Sequence, residues 1–243
     1  MKQRTRWSAL LLALTLALSL TVSAAAEETT ADPVEEAIAA AATFGGAVSI
    51  QYALWQDGAV TDTGASGVYS KTENRALTED NLYGIGSVSK IYTTVAVMQL
   101  AEQGKVSLDA PVTRYLKDFR MADSRYKDIT VRMLLNHSSG IMGTGLAGAI
   151  LFDDADPSAT DGLLEALSTQ RLIADPGAYS VYCNDGFTLA ELVVEAVSGM
   201  DFMDYVDRYI LDPIGLDDTY APGGDFDTAR LAKTYSGSST EAL

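Results

Sequence analysis

The sequence predicts an α/β (α+β) fold, an antiparallel sheet with flanking helices that leads into a helical domain. Two observations predict it. Residues 47–55 alternate apolar and polar side chains ahead of an Asp-Gly turn, the signature of a hairpin. From Asn81 to about Tyr220 the apolar residues instead recur at helical spacing. Strands followed by a run of helices suggest a sheet domain with helices attached.

The elements follow in order. Residues 1–26 read as a secretory signal peptide, with Lys2, Arg4 and Arg6 ahead of an uncharged apolar run from Ala9 to Val22. Ala24-Ala25-Ala26 supplies small residues for cleavage before Glu27. The protein is therefore expected in the periplasm, the cell envelope or the medium, with no stable membrane insertion after cleavage. Residues 27–243 are read as one domain. Asp32-Pro33 with Glu35 and Glu36 predicts a helix start, with Gly45-Gly46 as its end. A strand is predicted over Ala47–Trp55, a turn at Asp57-Gly58, and a returning strand at Gly67–Ser70, so that helix and strands fill residues 32–75.

The helical region spans residues 81–220. Val88, Ile91, Tyr92 and Val95 open a helix that ends at Gly104; no charge lies between Ile91 and Ala101, so it is expected to be buried nearly all round. Thr130 caps a short helix through Leu135, and Leu163, Leu164 and Leu167 mark another. Leu189, Leu192, Val193 and Ala196 mark a fourth, closed by Gly199. Asp201 opens a fifth, expected to stop before Pro213. The tail, residues 221–243, is polar and carries no strand pattern, so C-terminal strands are expected to be missing.

Composition excludes several classes. Without residues 1–26 the chain has 14 basic and 33 acidic side chains, a net charge of −19. Such a surface repels nucleic acid and anionic lipid. Cys183 is the lone cysteine and His137 the lone histidine, too few to build a zinc centre, so no metal or cofactor is expected. Asp153, Asp154, Asp156 and Asp161 lack the glycine of a calcium loop and read as a solvated acidic loop. A monomer is expected.

The residues able to do chemistry begin at Ser87-Val88-Ser89-Lys90, where Gly84-Ile85-Gly86 runs into the apolar helix. A serine at a helix start lies beside backbone N–H groups and the positive end of the dipole. A lysine three residues on shares its face and can reach the hydroxyl. Serine is a poor nucleophile without such a partner. The same four residues also suit a capping serine followed by a lysine that snorkels to the surface. In Tyr182-Cys183-Asn184, phenol and amide project to one side of an extended stretch, where they could pass a proton and bind substrate. Equally, Asn184 or Asp185 could cap the next helix while Tyr182 packs. His137, ahead of Ser138-Ser139-Gly140, fits a helix end where histidines bind terminal carbonyls.

Together these stretches resemble the serine β-lactamase-related family, which spans class C β-lactamases, D-alanyl-D-alanine carboxypeptidases and esterases. Tyr83–Lys90 resembles its first motif, Gly104–Val112 the segment after its central helix, Thr130–Gly140 its LLNHTSG segment, and Tyr182-Cys183-Asn184 its Tyr-x-Asn motif. The resemblance runs in order from about Ala47 to Tyr220. It implies a β-lactamase/transpeptidase-like fold with Ser87 as nucleophile, Lys90 and Tyr182 as catalytic partners, and Asn184 binding substrate. It implies hydrolysis of a β-lactam, a cell-wall D-alanyl peptide or an ester through an acyl-serine, in the manner of penicillin-binding proteins. Cys183 departs from the family's usual serine and reads as a small buried residue. The family's third motif, Lys/His-x-Gly on a late strand, is not found; Lys233-Thr234-Tyr235 comes too soon and lacks the glycine. The chain is thus expected to be truncated before the strand that supplies the second oxyanion N–H. Two alternatives stay open: a non-catalytic cell-wall or ligand-binding relative, and an inactive fragment.

Overall fold

A computed structural model describes residues 33–73, 75–143, 162–221 and 224–235. The expected signal segment and the acidic loop from Asp153 to Asp161 lie outside them. The chain divides into two units, one ending at Gly67 and the other beginning at Val68.

In the first unit, helix α1 (Pro33–Gly45) starts on the proline, carries Glu35 and Glu36 in its first turn, and ends as Gly46 swings to φ +67°. Strands β1 (Ser49–Gln56) and β2 (Ala59–Gly67) pair antiparallel, with Gln56 opposite Ala59 and Ser49 opposite Gly67. Asp57 and Gly58 both have positive φ, as a two-residue hairpin turn of the primed kind requires. The returning strand thus begins directly after the turn rather than at Gly67–Ser70. Its sequence, AVTDTGASG, is small and polar and offers no apolar face to read. Gly67 closes it at φ +97°, where a Cβ would lie 2.2 Å from the Val48 carbonyl oxygen.

In the second unit the helices are α2 (Lys90–Glu102), α3 (Val131–Leu135), α4 (Leu163–Ser168), α5 (Asn184–Ser198) and α6 (Phe202–Val206). Helix α5 is the hub on which α2, α3, α4 and α6 all pack. Its Leu189, Ala190, Val193 and Val194 join Ala96, Val97 and Leu100 of α2 and Leu134 of α3 in one core. Each large side chain so buried contributes about 1.5–3 kcal/mol. Thr130 caps α3 by accepting the Met133 N–H, and Gly199 ends α5 at φ +72°.

Two further expectations need correction. Helix α2 is buried along Thr93, Ala96, Val97 and Leu100 only, while Val88, just ahead of it, and Ile91 and Met98 are exposed. Apolar residues surround this helix on every side, so composition alone could not show which side is covered. The fifth helix does not stop before Pro213. It widens into a π turn (Asp207–Leu211) and resumes as α7 (Asp212–Ile214), where the proline's missing N–H falls at a helix start and costs little. Among its described residues the tail forms no strand, as expected, though Leu231 makes an isolated parallel bridge to Leu82 and the Ala232 N–H bonds the Leu82 carbonyl at 2.9 Å.

Candidate active site

Ser87 lies in a 3₁₀ turn, Gly86–Ser89, that feeds straight into α2. Gly86 takes φ +50° and the Val88 N–H returns to the Ile85 carbonyl at 3.1 Å, which aims the turn into the helix. Neither Ile85, ahead of the turn, nor Ser89, ahead of α2, caps with its side chain. The Ser87 hydroxyl has other partners: Lys90 Nζ donates to its Oγ at 3.3 Å, and the Tyr182 hydroxyl lies 2.6 Å away. The Lys90 ammonium also sits 5.0 Å over the Tyr182 ring and 5.5 Å over that of Phe187. All three groups remain open to substrate, Tyr182 being 51% exposed.

Tyr182 reaches the serine because the chain that follows α3 holds the segment that carries it. The Gly140 carbonyl accepts the Ile173 N–H at 2.8 Å, Ser138 the Gly177 N–H at 2.7 Å, and His137 the Val181 N–H at 2.9 Å. Gly143 takes the Asp185 N–H at 3.0 Å. Gly140 must be glycine, for its φ is +78° and a Cβ would stand 2.4 Å from the Ala174 oxygen. Arg125 adds an outer tie, gripping Asp123 through Nε and Nη2 and Asp175 through Nη1. These contacts fix a tyrosine 95 residues from its serine.

His137 does not bind terminal carbonyls as expected. Its φ is +62°, which turns the ring toward the tyrosine segment, and Nδ1 accepts the Cys183 N–H at 3.1 Å. The ring lies 4.5 Å from that of Tyr182 and 5.1 Å from that of Phe187. Nor does Asn184 or Asp185 cap α5. Cys183 does so, its Sγ accepting the Gly186 N–H at 3.2 Å and facing the Gly143 carbonyl at 3.3 Å. Burial pushes the thiol above its ordinary pKa, which disfavours a reactive thiolate. Asn184 stands at the first position of α5, two residues past Tyr182.

Electrostatics separate the groups. Lys90, then the bond to Ser87, holds the Tyr182 phenol below its ordinary value. Burial, then the Lys90 charge, lowers His137 below 6.5. Glu191, enclosed on α5 and accepting from the Thr93 hydroxyl at 3.3 Å, is pushed up to about 7, chiefly by burial. No periodic signal in the sequence pointed to Glu191 as a perturbed acid.

Lys233 and Tyr235 pair elsewhere: the Lys233 N–H bonds the Tyr69 carbonyl, and the Tyr235 hydroxyl takes the Lys71 N–H at 2.8 Å. Among the described residues no cluster of three or more His, Cys, Asp or Glu could hold a metal, and no helix is long and apolar enough to cross a membrane.

Penicillin-binding protein 4 of Amycolatopsis lactamdurans is 31% identical over 153 residues, covering 63% of this chain and 39% of the relative. Esterase EstB of Burkholderia gladioli is 32% identical over 165 residues, covering 63% and 42%. The chain therefore spans about two fifths of the length of these relatives. The structure of D-amino acid amidase from Ochrobactrum anthropi SV3 complexed with L-phenylalanine amide superposes with a TM-score of 0.73 at 25% identity, over 85% of this chain and 59% of the amidase. The fold is thus of the β-lactamase/transpeptidase type. With the beta-lactamase family model matching residues 34–243, the chain belongs to the beta-lactamase family, a group of serine hydrolases.

Proposed function

We propose that the protein hydrolyses a β-lactam, a D-alanyl peptide or an ester through a covalent acyl-serine. One observation carries the proposal: a single hydroxyl, Ser87 Oγ, is shared by Lys90 Nζ and the Tyr182 phenol. A serine becomes nucleophilic when a positioned base takes its proton. Lys90, reacting as the neutral amine and assisted by Tyr182, takes the proton and becomes the ammonium as Oγ bonds to the substrate carbonyl carbon. Tyr182 then returns a proton to the departing nitrogen or oxygen as its bond to the carbonyl carbon breaks. Water attacks the resulting ester and regenerates Ser87. The Ser87 N–H supplies one oxyanion donor, and Asn184 binds the substrate amide beside it. Oxyanion donors are worth roughly 3–4 kcal/mol each.

The test is hydrolysis of an activated ester and of a chromogenic cephalosporin by the protein. Turnover that disappears in Ser87→Ala supports the proposal. Equal rates in parent and Ser87→Ala overturn it, as does saturable binding of peptidoglycan fragments without turnover. Export is part of the same proposal, resting on Lys2 to Ala26, and amino-terminal sequencing should find Glu27 first in the secreted protein. An amino terminus at Met1 in secreted material would contradict it.

A further inference from the structure

His137 is not one of the three groups assigned to the chemistry, yet it contacts the one that has to be brought from farthest away. Tyr182 is flanked in sequence by two backbone N–H groups, and both end on His137. Its carbonyl takes the Val181 N–H at 2.9 Å and its Nδ1 takes the Cys183 N–H at 3.1 Å. In an extended segment residues i and i+2 present their groups to the same side, so one residue clamps both sides of the tyrosine. The ring adds a face at 4.5 Å from the Tyr182 ring, tilted 36°. The clamp requires φ +62°, a conformation that Asn, Asp and His tolerate better than other side chains.

A ring nitrogen that accepts an N–H bears no proton, so His137 must be neutral with its proton on Nε2. We propose that His137 is a positioning residue for the serine site, holding the Tyr182 phenol on Ser87 as the neutral Nε2–H tautomer and releasing it when Nδ1 is protonated. The titratable groups against it are Lys90 on α2 and Tyr182 and Cys183 on the tyrosine segment; α5 presents the uncharged Phe187. A positive ring would face the Lys90 ammonium and turn an N–H toward that of Cys183. Both effects oppose protonation and keep the clamp closed near neutral pH.

The inference rests on the proposed acyl-serine chemistry for its kinetic consequence but not for its structural one. His137 is the sole histidine, so one set of imidazole nitrogen signals reports its state without assignment by mutation. In the parent, nitrogen NMR should show Nδ1 bare and Nε2 protonated, and the Cys183 amide shift should titrate with the imidazole at a pH below 6.5. An Nδ1–H tautomer, or a Cys183 amide indifferent to the titration, overturns the clamp whether or not the protein turns over. Two variants add the kinetic arm. His137→Asn keeps both the left-handed backbone and an acceptor at the δ position, whereas His137→Gly keeps the backbone alone. Acylation of Ser87 should fall at least tenfold in His137→Gly and stay within about threefold of the parent in His137→Asn. The acidic limb of kcat/KM assigned to the imidazole should vanish in His137→Asn. A folded His137→Gly that acylates at the parent rate, or a folded His137→Asn as slow as His137→Gly, refutes the positioning role. A parent in which Ser87 never acylates refutes the acyl-serine proposal instead.

Discussion

Replacing Tyr182 with phenylalanine removes one oxygen and leaves the rest of the site in place. That oxygen lies 2.6 Å from Ser87 Oγ, the shorter of the serine's two contacts, against 3.3 Å for Lys90 Nζ. The ring that Tyr182→Phe keeps still stacks on His137 at 4.5 Å and still lies under the Lys90 ammonium at 5.0 Å. Positioned proton transfer is worth about 10²–10⁴ in rate, or roughly 3–5 kcal/mol at 1.36 kcal/mol per decade. Because Tyr182 is half exposed, removing its hydroxyl should change folding stability by no more than about 0.5 kcal/mol. A hundredfold or greater loss in the acylation rate is therefore expected at an unchanged melting temperature. Stopped-flow hydrolysis of an activated ester measures the first, and thermal denaturation the second. The parent's rate should also rise with pH below 10, since Lys90 and Ser87 lower the phenol's pKa, and Tyr182→Phe should flatten that limb. A loss smaller than fivefold, with the limb intact, would refute the role given to the phenol.

Three further outcomes follow from the same geometry. Glu191 ionises at about 7 in the fold against 4.5 in the unfolded chain, so the fold prefers its protonated form and loses that advantage as pH rises through about 7. Glu191→Gln should therefore stabilise the protein at pH 8 by up to about 3 kcal/mol and by almost nothing at pH 4, as denaturant melts at the two pH values will show. Gly140→Ala forces a Cβ to 2.4 Å from the Ala174 oxygen at φ +78°; it should cost about 1–3 kcal/mol and slow acylation, and a stable variant of parental rate would contradict the backbone pairing described for residues 137–143. Cys183→Ser replaces a buried capping sulfur with a better capping oxygen; hydrolysis should persist within a fewfold, whereas its abolition in a folded variant would point to the thiol as a reacting group.

How far the sequence could be read depended on how local each relation is. Ser87 and Lys90 meet within one turn, so their spacing suggested the pair, which the family resemblance then singled out over a capping serine and a snorkelling lysine. Thr130, Gly199 and Asp201 act within four residues, and the helix start or stop each marks falls where the residue chemistry says it should. The hairpin turn was legible from Asp57-Gly58, but β2 was not, because its small polar residues carry no alternation. Tyr182 was brought in by family resemblance rather than by its surroundings. What places it, the His137 clamp and the Gly140–Ile173 register, joins residues more than thirty positions apart and leaves no periodic trace. His137 was misplaced for that reason: a helix-end histidine is ordinarily satisfied by its own helix, and here a distant extended segment takes it. Glu191 was missed because a glutamate on an amphipathic helix reads as solvated until packing encloses it.

The central claim, that Ser87 is the residue acylated, is tested most directly by chemical capture. The protein is incubated with a fluorescent penicillin and, separately, with a fluorophosphonate, then digested, and the modified peptide is sequenced by mass spectrometry. The geometry predicts a single adduct on Ser87 that is absent from Ser87→Ala and formed at least a hundredfold more slowly in Tyr182→Phe. An adduct on any other residue, or labelling of Ser87→Ala at the parent rate, would contradict it.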